Sequence, residues 1–110
     1  MEKLIEKKCV PCEGGVQPFN KDQIQEYLAQ LSSAWEVKDD SKITKRFKFH
    51  NFKQAMVFVN KIADLAEQEG HHPDIRIFGY KNVEVELSTH SIGGLSENDF
   101  ILASKIELMH

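Results

Sequence analysis

The sequence predicts an α+β fold in the order α-β-β-α-β-β-α, with a four-stranded antiparallel sheet covered on one face by helices. Three observations predict it. Two regions of two-residue alternation, within residues 35–49 and 74–90, are separated by stretches of helical spacing. The extended segments come as adjacent pairs rather than singly between helices, which points to hairpins and away from a parallel α/β sheet. At 110 residues the chain can build one core without staples, and it shows no repeat or linker, so residues 1–110 are expected to form a single domain.

Residues 1–19 are expected to be irregular, because Pro11, Gly14, Gly15 and Pro18 punctuate them densely. Asn20 with Gln23 three residues on is a capping-box pattern. Ile24, Tyr27, Leu28 and Leu31 follow at helical spacing, so a first helix is expected from Lys21 to Leu31, before Ser32-Ser33. Trp35 to Val37 opens a strand, and Asp39-Asp40-Ser41-Lys42 is a turn cluster. Ile43 to Phe49 is the partner strand. Lys45 falls on its apolar face, so that face is expected to be buried only at its Phe47–Phe49 end.

Asn51 caps a second helix. Phe52, Ala55, Val59, Ile62 and Ala66 form its ladder, flanked by Met56, Phe58, Ala63 and Leu65. That surface is wider than one sheet requires, and the surplus suits a second surface such as another subunit. Gly70 can close the helix in the left-handed conformation. Asp74 to Tyr80 is a strand, with the turn expected at Lys81-Asn82. Val83, Val85 and Leu87 then alternate with Glu84, Glu86 and Ser88 in a strand ending at Thr89-His90. By parity His90 faces away from the three apolar residues. Ser91 to Leu95 is a loop. Ser96 with Asp99 at N3 caps a third helix, whose face is Phe100, Ala103, Ile106 and Met109.

Composition narrows the function classes. The chain is 41% hydrophobic and 28% charged, with a net charge of −3 and no single-sign block. A nucleic-acid binder would carry a basic stripe, so none is expected as a partner. No apolar run approaches the ~20 residues of a membrane span. The first eight residues lack the apolar core of a secretion signal, so the expected location is cytoplasmic, with no membrane partner. Cys9-Val10-Pro11-Cys12 precedes Glu13-Gly14-Gly15, a loop signal rather than a helix start, and no second such pair completes a zinc site. Incidental thiols are the expected reading, with zinc shared with a histidine as the alternative.

The chemistry-bearing residues are histidines. His50 precedes a helix cap and His110 is terminal. His71 and His72 instead sit between Gly70 and Pro73 at a helix exit, and His90 ends the neighbouring strand. In a hairpin the start of one strand faces the end of the next, which brings His90 near the pair. Pro73 favours an extended His72. Adjacent side chains on a regular strand point to opposite faces, so both rings reach one pocket only if the backbone turns at His71. Adjacent histidines are poorly placed to chelate one ion, and no metal is expected. Imidazoles titrate near neutrality and can donate and accept protons, and neither a serine-nucleophile elbow nor a phosphate loop is present. Acid–base work on a small neutral heterocycle suits this inventory.

Glu67-x3-His71-His72-Pro73, six residues, Tyr80, nine residues, His90, eight residues, Asp99 resembles the signature of the pterin-4a-carbinolamine dehydratases. Leu87-Ser88-Thr89-His90, Gly94-Leu95-Ser96 and the Cys9 to Gly15 lead are similar to bacterial-type members. The resemblance implies dehydration of 4a-hydroxytetrahydropterin to quinonoid dihydropterin, in recycling of the cofactor of pterin-dependent aromatic amino-acid hydroxylases. It implies catalytic and substrate-orienting roles for His71, His72 and His90, and a pocket lined by Pro73, Thr89 and Ser91. Glu67, Tyr80 and Asp99 are implied as supporting residues; Glu67 and Asp99 would orient imidazoles or serve as helix-terminal charges. The pterin is the substrate, so no cofactor is implied, and a homodimer or homotetramer is. Relatives also act as a dimerisation cofactor of a transcription factor and in assembly of a carbon-fixing enzyme, which is the alternative. Where animal members carry an acidic residue before the histidines and a tryptophan after the proline, this chain has Gly70 and Ile75, and the segment to Tyr80 is one residue longer.

Overall fold

A computed structural model describes residues 3–10 and 16–110. After a 3-10 turn at Leu4–Glu6, the elements are α1 (Lys21–Leu28), β1 (Glu36–Lys38), β2 (Lys42–Lys48), α2 (Phe52–Glu69), β3 (Asp74–Phe78), β4 (Asn82–Leu87), a second 3-10 turn at His90–Ile92, and α3 (Glu97–Glu107). The four strands are antiparallel in the order β1-β2-β4-β3. This is the α+β architecture the alternation implies. Of the punctuation in the N-terminal segment, Pro11, Gly14 and Gly15 lie outside the described residues, as does Cys12.

Local chemistry accounts for the element ends. Asn20 Oδ1 accepts from Gln23 N–H at 2.9 Å while Gln23 Oε1 accepts from Asn20 N–H, so α1 starts on a reciprocal cap. α1 stops at Leu28, short of the expected Leu31. Gln30 N–H and Leu31 N–H bond three residues back, to Tyr27 and Leu28, so the chain tightens out of the α pattern. The physical cause lies downstream. Glu107 collects the backbone N–H and hydroxyl of both Ser32 and Ser33 and the indole N–H of buried Trp35, at 2.6 to 3.1 Å.

Val37, Ile43, Phe47, Val83, Val85, Leu87, Ile75 and Ile77 share the covered face of the sheet. Ile43 is as buried as Phe47, so the face around Lys45 is buried at both ends and not only at Phe47–Phe49. Lys45 lays its ammonium 5.4 Å from the Phe47 ring centroid. Arg46, Arg76 and Glu84 form a charged network on the opposite face.

The β3–β4 turn falls earlier than Lys81-Asn82. Gly79 (φ 54°) and Tyr80 (φ 51°) take the left-handed conformation of a tight hairpin turn. Asn82 begins β4 and donates its side-chain N–H to the Phe78 carbonyl.

The core face of α2 is Ala55, Phe58, Ile62, Leu65 and Ala66, which leaves Phe52 53% exposed. α3 is the most enclosed element. Beyond the expected Phe100, Ala103 and Ile106, it also buries Asn98, Asp99, Ile101 and Leu102. It is enclosed on several sides because the Leu4–Glu6 turn and α1 pack against it as well as α2.

Candidate active site

The histidines are launched by two chain exits at one end of the sheet. α2 ends at Gly70, whose φ of 66° lets the N–H groups of Gly70 and His71 both bond the Ala66 carbonyl. The chain therefore turns at His71 before β3 starts. Asp74 pairs with Glu86, so residues 71–73 run beside the end of β4. Beyond β4, Thr89 bridges to Gly94 and His90 opens the 3-10 turn that Gly93 closes at φ 67°. His71, His72 and His90 thus line one cleft of about 250 Å³, together with Ser88, Thr89 and Ser91. Both adjacent histidines line the same space.

The three rings are held differently. His71 has a side chain only 12% exposed, and its Nε2 lies 2.6 Å from Asp99 Oδ1. Asp99 is fully buried. Its second oxygen accepts from Thr89 Oγ1 at 2.8 Å and from Ser96 N–H at 3.0 Å, and Thr89 Oγ1 is also 2.8 Å from Ser96 Oγ. With the carboxylate accepting, Nε2 carries the ring proton and Nδ1 is the ring's acceptor nitrogen. His72 Nε2 bonds Glu67 Oε2 at 2.5 Å in an exposed pair. His90 is exposed at the cleft mouth.

Other expected residues sort plainly. Thr89 lines the cleft, but its hydroxyl is engaged with Asp99 and Ser96, so it holds the carboxylate rather than offering that hydroxyl to a ligand. Ser91 lines the cleft. Pro73 stands just before β3, outside the lining. Tyr80 lies in the turn at the far end of the β3–β4 hairpin and is not brought to the histidines.

Two lining residues had no signal in the sequence pattern, Val10 and Asn98. Asn98 Nδ2 donates to the Val10 carbonyl at 2.6 Å and its Oδ1 accepts Val10 N–H at 3.0 Å. Next door, Glu69 Oε1 accepts Cys9 N–H at 2.8 Å while Glu69 Oε2 meets Lys105 Nζ at 3.0 Å. Burial pushes the Glu69 carboxyl up, but the Cys9 amide and the Lys105 ammonium outweigh it and leave it below the usual range. The Cys9 thiol points at the Asn98 carbonyl, and burial, then the Glu69 charge, push it up to about 12.

Three larger hollows lie elsewhere among the described residues. One, on the open sheet face, is lined by Glu36, Lys38, Arg46 and Glu84. A second lies between the N-terminal turn and the ends of α1 and α3, and a third is lined by Lys48, Phe49, His50 and Lys81. None of them brings more than one histidine to its lining, so the histidine cleft is the candidate site.

Among known proteins, the family described as pterin 4 alpha carbinolamine dehydratase matches residues 17–109. A protein of Rickettsia canadensis is 54% identical over 108 residues, covering 97% of each chain, and one of Alkaliphilus metalliredigens is 46% identical over 107 residues, covering 97% of this chain and 96% of its own. Both carry the provisional name of pterin-4-alpha-carbinolamine dehydratase. A solved transcriptional coactivator/pterin dehydratase from Brucella melitensis superposes with a TM-score of 0.77 at 33% identity, covering 84% of this chain and 98% of its own. A pterin dehydratase-like protein described as a RuBisCO assembly factor of the alpha-carboxysome superposes with a TM-score of 0.60 at 26% identity, covering 71% of this chain and 90% of its own.

Proposed function

The chain belongs to the pterin 4 alpha carbinolamine dehydratase family, and on that premise we propose that it removes water from a 4a-hydroxytetrahydropterin in the histidine cleft to give the quinonoid dihydropterin. The observation that carries this reading is that three histidines line one cleft, one of them with its ring backed by a buried carboxylate. The reaction breaks the C4a–O bond, forms the C4a=N5 double bond, and needs one proton delivered to the leaving oxygen and one taken from N5. Atoms and charge balance with no oxidant, metal or further cofactor. His71 is suited to accept the N5 proton at Nδ1, because Asp99 fixes its ring and carries the countercharge. His72 and His90, at the exposed side, are suited to deliver the proton to the departing hydroxyl and to orient the ring. Each such transfer contributes about 10²–10⁴-fold.

The setting we propose is cytoplasmic recycling of tetrahydrobiopterin or a related pterin, downstream of a pterin-dependent aromatic amino-acid hydroxylase. The apolar flank of α2 that leaves Phe52 and Val57 exposed supports assembly as a homodimer or homotetramer. The test is stopped-flow turnover of a freshly generated 4a-hydroxytetrahydropterin. His72→Ala and His90→Ala are each expected to slow it severely while the circular dichroism spectrum stays native; normal turnover in both would remove these roles.

The solved assembly factor motivates a second reading, a protein-binding or assembly role on the same fold. It would use the helix surfaces rather than the histidines. A stoichiometric partner captured by a protein without pterin turnover would favour it.

A further inference from the structure

We propose that Cys9 and Val10 form a strap that is the apolar wall of the pterin cleft, with Val10 a specificity-determining residue and Asn98 and Glu69 the positioning residues that hold it. This rests on the pterin reading and extends it to a segment outside residues 17–109, which the family description matches.

Among the described lining residues, Val10 supplies the one wholly hydrocarbon side chain; the histidines, serines, Thr89 and Asn98 all carry polar atoms. A flat bicyclic heterocycle whose edges meet imidazoles and hydroxyls still has a face to cover, and an aliphatic side chain does that. Val10 is 65% exposed in the free protein, so its own burial does not explain why it is held there. Yet its backbone is clamped at both N–H and C=O by the amide of Asn98, which is buried. The preceding N–H is clamped by Glu69, itself paired with Lys105 where both side chains are largely buried. Committing buried polar groups to an exposed valine is understandable if the valine's partner arrives later.

The mounting has a second consequence. Glu69 is the last residue of α2, directly before Gly70-His71, and Asn98 directly precedes Asp99, which holds His71. The strap and His71 are therefore fixed to the same two helix ends. The wall sets where the ring lies relative to Nδ1 of His71 without touching the reacting bonds.

Such a wall acts on binding rather than on proton transfer. Val10→Ser removes the apolar contact without placing a charge beside the imidazoles, and exposure at this position makes it safe for folding. It is expected to raise KM about tenfold and to change kcat less than about twofold. Val10→Ile should keep KM at or below the wild-type value. Amide hydrogen exchange with 7,8-dihydrobiopterin as a non-reacting probe should show slower exchange at Cys9 and Val10 when the probe is bound. Wild-type turnover with unaltered KM in Val10→Ser, or unaltered strap exchange with the probe bound, overturns the wall and leaves the reaction standing. A wild-type protein that neither turns over the carbinolamine nor binds the probe overturns the reaction and the wall together.

Discussion

Asp99→Asn changes one atom type in a group that makes three bonds and is fully buried. Asparagine keeps the shape but offers one acceptor oxygen and one donor amide. If the oxygen stays with Thr89 Oγ1 and Ser96 N–H, the amide faces His71 Nε2. That nitrogen must then accept, so the ring proton moves to Nδ1, and a proton acceptor becomes a donor. A wrong tautomer in a geometrically intact site is expected to lower kcat by about 10²–10⁴-fold. Loss of a charged acceptor in a buried network is expected to cost about 1–3 kcal/mol, or roughly 4–12 °C in Tm for a domain of this size. Stopped-flow kcat beside differential scanning calorimetry reads both. Glu67→Gln is the internal control: its pair with His72 is solvent-exposed, so less than about tenfold in rate and under about 1 kcal/mol in stability are expected. A folded Asp99→Asn protein with wild-type kcat at neutral pH refutes the claim that Asp99 sets the state of His71.

Two further outcomes follow from groups outside the cleft. Burial pushes the Glu107 carboxyl up, but the Ser33, Ser32 and Trp35 bonds outweigh it, so its folded value lies below the ordinary carboxylate range. A depressed folded value means stability that is present above the unfolded pKa of about 4.3 and lost as pH falls through the folded value. Glu107→Gln should therefore lower stability at pH 7 by about 1–3 kcal/mol, and urea unfolding should show the gap to wild type closing toward pH 3; a gap independent of pH would contradict this. The Cys9 thiol, pushed up to about 12, should be alkylated at pH 8 about 10³-fold more slowly in the native protein than in the unfolded chain, read by peptide mass mapping; equal rates would show that the strap does not bury it.

The sequence made the architecture readable where period and burial coincide. Val83, Val85 and Leu87 alternate because β4 is central and one face is covered, and the Gly70 exit was legible because a left-handed helix end favours glycine. The β3–β4 turn was misplaced because Tyr80 adopts a positive φ that its residue type does not advertise, although Gly79 beside it was a usable signal. α3 was read as one stripe because periodicity assumes a single partner surface; the N-terminal turn and α1 pack against it as well as α2, and Ile101 and Leu102 are buried too.

In the site, the histidine cluster was readable from hairpin register, since strand pairing fixes which ends meet. The use of Asp99 was legible only as one of two roles the resemblance implied, an acceptor that orients an imidazole or a helix-terminal charge. A capping-box acid and a buried carboxylate that grips an imidazole look alike until the helix start is placed against His71. Thr89 was expected as a lining residue, and only packing shows that its hydroxyl is held by Asp99 and Ser96. Val10 and Asn98 meet across 88 residues of sequence, a contact no local pattern encodes.

Dehydration of a pterin carbinolamine in the histidine cleft is measured as the first-order rate of loss of 4a-hydroxytetrahydropterin, generated in situ, in buffer and with purified protein, wild type beside His71→Ala. Catalytic amounts of the wild type should accelerate the loss, and His71→Ala should forfeit about 10²-fold or more of that acceleration. Equal rates in buffer and with folded wild-type protein would contradict the assigned reaction.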